Sequence, residues 1–147
     1  MLSDLLISSN IKLKVNVQNW QDAIRKGGEL LVASNMAESR YIDAMIDGVN
    51  EHGPYIVLMP GVAMPHARGE SGVISNGLSL ITLAEPVDFL DSENNPVYIV
   101  ICLAAADNSA HLEAIQNLVW FLDSSENITA VINADEIEQV MDIVKKY

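Results

Sequence analysis

The chain has 147 residues, of which 50% are hydrophobic and 5% aromatic, a composition typical of one globular domain with an aliphatic core. Its 20 acidic and 8 basic residues give a formal net charge of −12, which argues against nucleic acid or an anionic membrane surface as a partner. The single cysteine, Cys102, excludes an intrachain disulfide and is expected in the core. The chain shows no signal peptide and no apolar run of the roughly 20 residues that a membrane span needs, so we expect a cytoplasmic protein.

The first half of the chain predicts one strand and two helices. Apolar and polar residues alternate over residues 11–17, as in a half-buried strand. Asn19 is predicted to cap a helix that starts at the next residue and that is weak or kinked at Gly27-Gly28. A second helix is predicted over residues 37–49. The pair Gly53-Pro54, shortly afterwards, ends the helical pattern.

The second half predicts strands that alternate with helices. Residues 55–59 are apolar throughout and predict a strand buried on both faces, and residues 77–83 and 97–103 predict two more strands. Asp107-Asn108-Ser109 is an N-cap cluster, and the helix that it opens is predicted to bury Leu112, Ile115, Leu118, Val119 and Leu122. The architecture predicted is a single α/β domain over residues 1–147, with central strands covered by helices.

His66 is the first candidate for chemistry. It follows the apolar run of residues 55–59 in a segment that contains Pro60, Gly61 and Pro65, and Arg68 lies close behind it. Because proline fixes its own backbone and restricts the residue before it, the imidazole is expected to be held stiffly. A stiffly held histidine suits a nucleophile that receives a group and passes it on. The alternative is a histidine that packs under a loop without a catalytic role.

His111 is the second candidate, because it lies two residues after Ser109 in the first turn of a predicted helix. The free N–H groups and positive potential of a helix N-terminus disfavour an imidazolium and favour a bound anion. If the two preceding strands end at one edge of the sheet, His66 and His111 can meet, and one ring could stabilise a phosphoryl group that the other holds. His111 could instead lie on the surface and bind nothing, and His52 is expected only to favour the C-terminal dipole of its helix.

Rival chemistries are weakly supported by the sequence. Two histidines with a carboxylate or Cys102 could bind zinc, but no short ligand pair such as CxxC or HExxH is present. A serine hydrolase would need a GxSxG elbow, and a nucleotide-binding protein a P-loop or dinucleotide fingerprint, and the chain has none of these. We therefore expect no metal and no cofactor, and any phosphate that the protein handles is expected to arrive on another protein.

Several motifs resemble the EIIA components of the bacterial phosphotransferase system for sugar uptake, of the mannitol/fructose EIIA superfamily and most like its L-ascorbate-specific branch. The resemblance extends along almost the whole chain, and the Pro-His pair in its context is its most specific part. The segments that carry it are Trp20-Gln21-Asp22-Ala23, Leu30-Leu31-Val32-Ala33, Arg40-Tyr41, Ile46-Asp47-Gly48-Val49, Gly53-Pro54-Tyr55, Pro60-Gly61, Ala63-Met64-Pro65-His66 and Ala104-Ala105-Ala106-Asp107.

The resemblance implies a single type-2 EIIA domain with a mixed central sheet flanked by helices on both sides. It implies a phosphotransferase in which His66 accepts a phosphoryl group from the phosphohistidine of HPr and passes it to a cysteine of the cognate EIIB. His111 would stabilise the phosphoryl group, with Arg68 and Ser109 as further support. Such a carrier would approach the membrane EIIC component only through EIIB, in a system for L-ascorbate or a related sugar or pentitol.

Two departures from the family pattern concern the surroundings of His66. Many members carry an arginine in the helix before the active strand, whereas residues 46–50 contain none; Arg68 either replaces that charge or contacts a partner. Where ascorbate-type members often have proline after the arginine, this chain has Gly69, which is expected to loosen the loop. The alternative function is a regulatory EIIA-like module whose phosphorylation state controls a transporter or a transcription factor by contact.

Overall fold

The computed structural model describes residues 1–147 and contains six α-helices and five β-strands. The longest helix has 15 residues, and none combines the length and apolarity that crossing a membrane requires. The helices are α1 (Leu2–Leu5), α2 (Trp20–Ala33), α3 (Arg40–His52), α4 (Asn108–Leu122), α5 (Ser125–Asn133) and α6 (Ile137–Val144). The strands are β1 (Ile11–Val15), β2 (Val57–Met59), β3 (Val62–Ala63), β4 (Gly77–Val87) and β5 (Val97–Ala104).

The five strands form one mixed sheet in the order β1-β4-β5-β3-β2. β1 is parallel to β4 and β3 is parallel to β5, whereas β4 and β5, and also β2 and β3, pair in antiparallel fashion. Because β3 and β5 are parallel neighbours, the chain leaves both strands at the same edge of the sheet. This edge receives the two segments that carry His66 and His111.

The sheet separates two hydrophobic clusters, one on each face. Along β5 the side chains alternate between them, so that Ile99, Ile101 and Leu103 lie in one cluster while Val100 and Cys102 lie in the other. Residues of α1, α4, α5 and α6 complete the first cluster, and residues of α2 and α3 complete the second. The predicted α/β fold, a mixed sheet with helices on both sides, is confirmed.

Helix α2 begins as predicted and runs without interruption over 14 residues. The Asn19 side chain accepts a hydrogen bond from the Asp22 N–H at 2.9 Å and caps the helix. Helix α2 continues through both glycines to Ala33, and a weakness or kink at Gly27-Gly28 stays a prediction. A Cβ added to Gly27 would lie 2.7 Å from the Cys102 Sγ, and one added to Gly28 would lie 2.7 Å from the Ile42 Cγ1. The glycines therefore allow α2 to pack closely against β5 and α3.

Replacing Gly27 by alanine is expected to lower the free energy of unfolding, because a methyl group must enter an already filled contact with Cys102 at a cost of about 1–3 kcal/mol. The gain of roughly 1 kcal/mol that alanine brings to a helix interior should offset only part of this cost. Urea denaturation of Gly27→Ala measures the difference. Gly48→Ala in α3 is the matched control, since its Cβ would meet only the Tyr55 hydroxyl at 3.4 Å. Equal stabilisation by both substitutions would contradict the packing argument.

The strand predicted over residues 55–59 is shorter and more exposed than the sequence suggests. Tyr55 and Leu58 are each 47% exposed, so the prediction of a strand buried on both faces is wrong. The turn at Pro60-Gly61 folds the chain into a hairpin, and β2 becomes an edge strand with β3 as its only neighbour. Of the apolar run, Ile56 and Val57 lie in the cluster on the α2–α3 face, and Met59 packs against the cluster on the other face.

Helix α4 buries part of the predicted face. The prediction is confirmed for Leu118 and Leu122, and Ile115 packs against the same core, but it is wrong for Leu112 and Val119, which are 67% and 53% exposed. The buried residues are Ala114, Leu118, Phe121 and Leu122. Helices α1 and α5 both contact α4, and their positions decide which of its apolar residues face the core.

Candidate active site

The ends of β3 and β5 bring the two candidate histidines together. His66 follows β3 after two residues, and β5 leads through a short turn into α4, whose first turn carries His111. The ring centroids of His66 and His111 are 5.1 Å apart, with 55° between the ring planes. The hypothesis that the two strand ends share an edge and that these histidines meet there is confirmed.

The His66 ring has a defined tautomer. Its Nδ1 lies 2.8 Å from the Met64 carbonyl oxygen, two residues back along the chain. Because a carbonyl only accepts hydrogen bonds, Nδ1 carries the proton and donates it. The lone pair of the neutral ring is then on Nε2, the atom that remains available for chemistry.

The start of α4 supplies polar groups beside the histidines. Asp107 caps the helix, and its side chain accepts a hydrogen bond from the Ala110 N–H at 2.8 Å. The first backbone amides of the helix, on Asn108 and Ser109, have no acceptor within the helix. Asn108 contributes to the wall of the cavity around His66, whereas the Ser109 side chain does not.

The pKa of His111 is lowered from its usual value of 6.5, first because the ring is partly removed from water and second because positive charges on His111 and the nearby His66 would repel each other. His111 therefore stays neutral at neutral pH. A neutral imidazole has one N–H group, which can donate a hydrogen bond to an anion bound beside it.

The lowered pKa predicts a stability change with pH. Between pH 7.5 and 5.5 the unfolded chain takes up a proton at residue 111 more readily than the folded chain, so the folded state loses stability as the pH falls. Urea unfolding at the two pH values should show a smaller loss for His111→Gln than for the unchanged protein. An identical loss in both proteins would contradict the prediction.

The histidines lie in an open cavity of about 960 Å³ with mostly acidic charges in its wall. Arg68 lines this cavity, but its side chain is 86% exposed and makes only a 3.8 Å ion pair with Glu70. A pair so exposed contributes little to stability, which leaves the guanidinium available for other contacts. The acidic residues in the wall are Asp47, Glu51, Glu70 and Asp107.

Gly69 allows a close backbone approach in the loop that follows Arg68. It begins a 3₁₀ turn, and a Cβ at this position would lie 2.6 Å from the Ala106 oxygen and 2.9 Å from the Ala105 oxygen. The missing side chain allows this loop to pack directly on the turn that leads into α4, while the looser loop stays a prediction. The loop of His66 and the turn before His111 are therefore in backbone contact.

Two aromatic residues, His52 and Tyr55, line the cavity without having been predicted to do so. His52 ends α3, as predicted, but it also lines the cavity, with its ring centroid 6.2 Å from that of Tyr55. The Tyr55 ring in turn meets His66 edge-on at 5.8 Å. The Gly53-Pro54-Tyr55 motif was the available signal for Tyr55, but its apolar context indicated a buried strand.

Cys102 has no role at the site. It is fully buried in the core, as predicted, and burial raises the pKa of its thiol to about 12. A thiol that remains protonated is neither a metal ligand nor a nucleophile at neutral pH. No group of three or more His, Cys, Asp or Glu residues is arranged to hold a metal ion.

Comparison of the sequence with known families finds one match over nearly the whole chain. The model of the family described as "Phosphoenolpyruvate-dependent sugar phosphotransferase system, EIIA 2" matches residues 4–147. A protein of Shigella boydii, named ascorbate-specific PTS system EIIA component, is 39% identical over 140 residues, which cover 95% of this chain and 91% of that protein.

Solved structures show the same fold. The mannitol-specific cryptic phosphotransferase enzyme IIA CmtB of Escherichia coli superposes with a TM-score of 0.89 at 36% identity, over 99% of each chain. The enzyme IIA for mannitol from Escherichia coli, solved in complex with phosphorylated enzyme IIB, superposes with a TM-score of 0.85 at 27% identity, over 95% of this chain and 96% of that one.

Proposed function

Because this chain belongs to the EIIA 2 family of the phosphoenolpyruvate-dependent sugar phosphotransferase system, and so is a phosphotransferase that serves sugar transport, we propose that His66 is its phosphoryl acceptor. The phosphoryl group comes from the phosphohistidine of HPr and passes to a cysteine of the cognate EIIB. The observation that carries this proposal is the pair of rings at the sheet edge, with the Nε2 of His66 free and His111 5.1 Å away between ring centroids.

The first transfer uses the neutral His66 ring. Its Nε2 lone pair attacks the phosphorus of phospho-HPr, an Nε2–P bond forms, and the donor N–P bond breaks with its electron pair left on the donor imidazole. The Nδ1 proton stays on its hydrogen bond to the Met64 carbonyl oxygen, so the ring keeps its orientation during attack. Phosphoryl transfer depends chiefly on such in-line positioning and on stabilisation of charge.

His111 and the start of α4 stabilise the transferred group. A neutral His111 donates a hydrogen bond to a phosphoryl oxygen, and the first amides of α4, including that of Ser109, add positive potential. Arg68 supports the group or contacts the partner from the exposed rim. The acidic wall of the cavity suits a partner that brings its own basic residues.

The second transfer regenerates the carrier. A thiolate of EIIB attacks the phosphorus, the Nε2–P bond breaks, and the electron pair returns to Nε2 of His66. The mannitol enzyme IIA of similar fold has been solved with its phosphorylated enzyme IIB, which supports direct docking of an EIIB on this site.

The relative of Shigella boydii supports L-ascorbate as the sugar of this system. We propose that residues 1–147 act as one cytoplasmic EIIA domain, which reaches the membrane EIIC component only through EIIB. An EIIB from an ascorbate system should accept the phosphoryl group faster than an EIIB from a mannitol system, as quench-flow transfer assays would show. Preference for the mannitol EIIB would contradict the assignment of L-ascorbate as the sugar, but it would not contradict phosphoryl transfer through His66.

Intact-mass analysis tests the central proposal. Incubation of the protein with Enzyme I, HPr and phosphoenolpyruvate should add one phosphoryl group, which acid removes because the N–P bond is labile to acid. Omission of HPr should prevent the addition. The absence of an adduct with a competent phospho-HPr would overturn the proposal and favour the regulatory module that keeps the fold without the transfer.

A further inference from the structure

Tyr41, in the first turn of α3, places a hydroxyl group in the interior beside the His66 loop. The side chain is fully buried, with 0% of the residue exposed. Its hydroxyl lies 2.6 Å from the Leu103 carbonyl oxygen and accepts a hydrogen bond from the Ala67 N–H at 3.0 Å. The Ala67 carbonyl oxygen is farther away, at 3.2 Å, so the single hydroxyl proton goes to Leu103.

Together with one backbone hydrogen bond, these bonds hold the chain on both sides of His66. On one side of the histidine, the Pro65 carbonyl oxygen accepts a hydrogen bond from the Leu103 N–H at 3.0 Å. On the other side, Ala67 reaches the carbonyl of the same Leu103 through the Tyr41 hydroxyl. Both neighbours of His66 are thus tied to Leu103, the second-last residue of β5, which precedes the turn into α4.

We propose that Tyr41 is a positioning residue that fixes the backbone of His66 relative to the strand that carries His111. The hydroxyl touches neither the phosphoryl group nor a partner, and it acts through Ala67 and Leu103. The proposal rests on the proposed function only because the reaction that this geometry serves is taken to be the phosphorylation of His66.

The hydroxyl, rather than the ring, makes the connection. Ala67 and Leu103 offer a donor and an acceptor in the protein interior, and one hydroxyl group satisfies both. Burial raises the pKa of Tyr41 to about 12, so the hydroxyl keeps its proton across the working pH range. Phenylalanine would retain the packing of the ring and leave both backbone groups without this partner, which favours a shift of the loop.

Tyr41→Phe tests the proposal against a matched hydroxyl deletion. Tyr147→Phe removes a hydroxyl group that accepts a hydrogen bond from the Asn127 Nδ2 at 2.8 Å, in the cluster on the α4–α6 face of the sheet. Both variants should fold, with Tm values lowered by a few degrees at most. Rates of phosphorylation by phospho-HPr, over a range of donor concentrations, and NMR titration of the histidine rings are measured for each.

For Tyr41→Phe we expect kcat to fall about tenfold with little change in KM, because the reacting ring is misplaced while the docking surface stays intact. The pKa of His111 should move back toward its usual value, since His66 and the packed loop help to lower it. Tyr147→Phe should keep the kcat and the titration of the unchanged protein.

Two results would overturn the proposal. One is an unchanged kcat in Tyr41→Phe, and the other is a His111 titration in that variant identical to that of the unchanged protein. If the unchanged protein takes up no phosphoryl group, the proposed function fails, yet the NMR titration still decides whether Tyr41 positions the two rings. The failures of the two proposals are therefore distinguishable.

Discussion

His66→Gln is expected to take up no phosphoryl group from phospho-HPr, while keeping the fold of the unchanged protein. His66 is the residue whose Nε2 is free, oriented by the Met64 carbonyl oxygen and opposed to His111. Glutamine has a similar size but no nucleophilic nitrogen, so the loss should be complete rather than partial. Intact-mass analysis after incubation with Enzyme I, HPr and phosphoenolpyruvate measures it, with circular dichroism to verify folding.

His52→Gln is the matched control for this experiment. His52 is an exposed histidine of the same cavity, but Tyr55 stands between it and His66. Its replacement should leave one acid-labile phosphoryl group and the rate nearly unchanged. A phosphorylated His66→Gln, or loss of the adduct in His52→Gln, would assign the acceptor to another residue of the cavity.

His111→Ala should slow phosphoryl transfer about a hundredfold without preventing it. The substitution removes a neutral imidazole that donates a hydrogen bond to the phosphoryl oxygens, where negative charge must be stabilised during transfer. The nucleophile and the α4 amides remain, so phosphorylation should reach completion at long times. Rapid-quench, single-turnover reaction with phospho-HPr gives the rate constant.

Leu112→Ala provides the control for His111→Ala, because it alters the next residue of α4, which is 67% exposed and does not line the cavity. Its single-turnover rate constant should stay close to that of the unchanged protein. If His111→Ala transfers the phosphoryl group as fast as Leu112→Ala does, His111 is a neighbour of the acceptor without a stabilising role.

Local signals in the sequence predicted the caps and the helix starts that shape the site. Asn19 and Asp107 each accept a hydrogen bond from an amide three residues later, as their residue types indicated. His111 could be placed in a first helical turn for the same reason. Such features depend on a few neighbouring residues, which is why they can be recognised without knowledge of the fold.

The packing role of a glycine depends on segments that are distant in the sequence. Gly27 and Gly28 lower the helix propensity along the chain, but in the fold they make room for β5 and α3. Gly69 looks like a source of flexibility, yet it allows a backbone contact with Ala105 and Ala106. In each case the reason for the glycine is an atom far away in the sequence.

The sequence by itself determined the α/β class, the buried Cys102 and the identity of the two histidines, because periodicity, capping and motif context are local properties. Only the tertiary structure decided that β3 and β5 are parallel neighbours, which brings His66 and His111 to one edge. It also decided the hydrogen bonds of Tyr41 to Leu103 and Ala67. The pairing of strands and the satisfaction of buried polar groups depend on long-range contacts, which only the folded chain specifies.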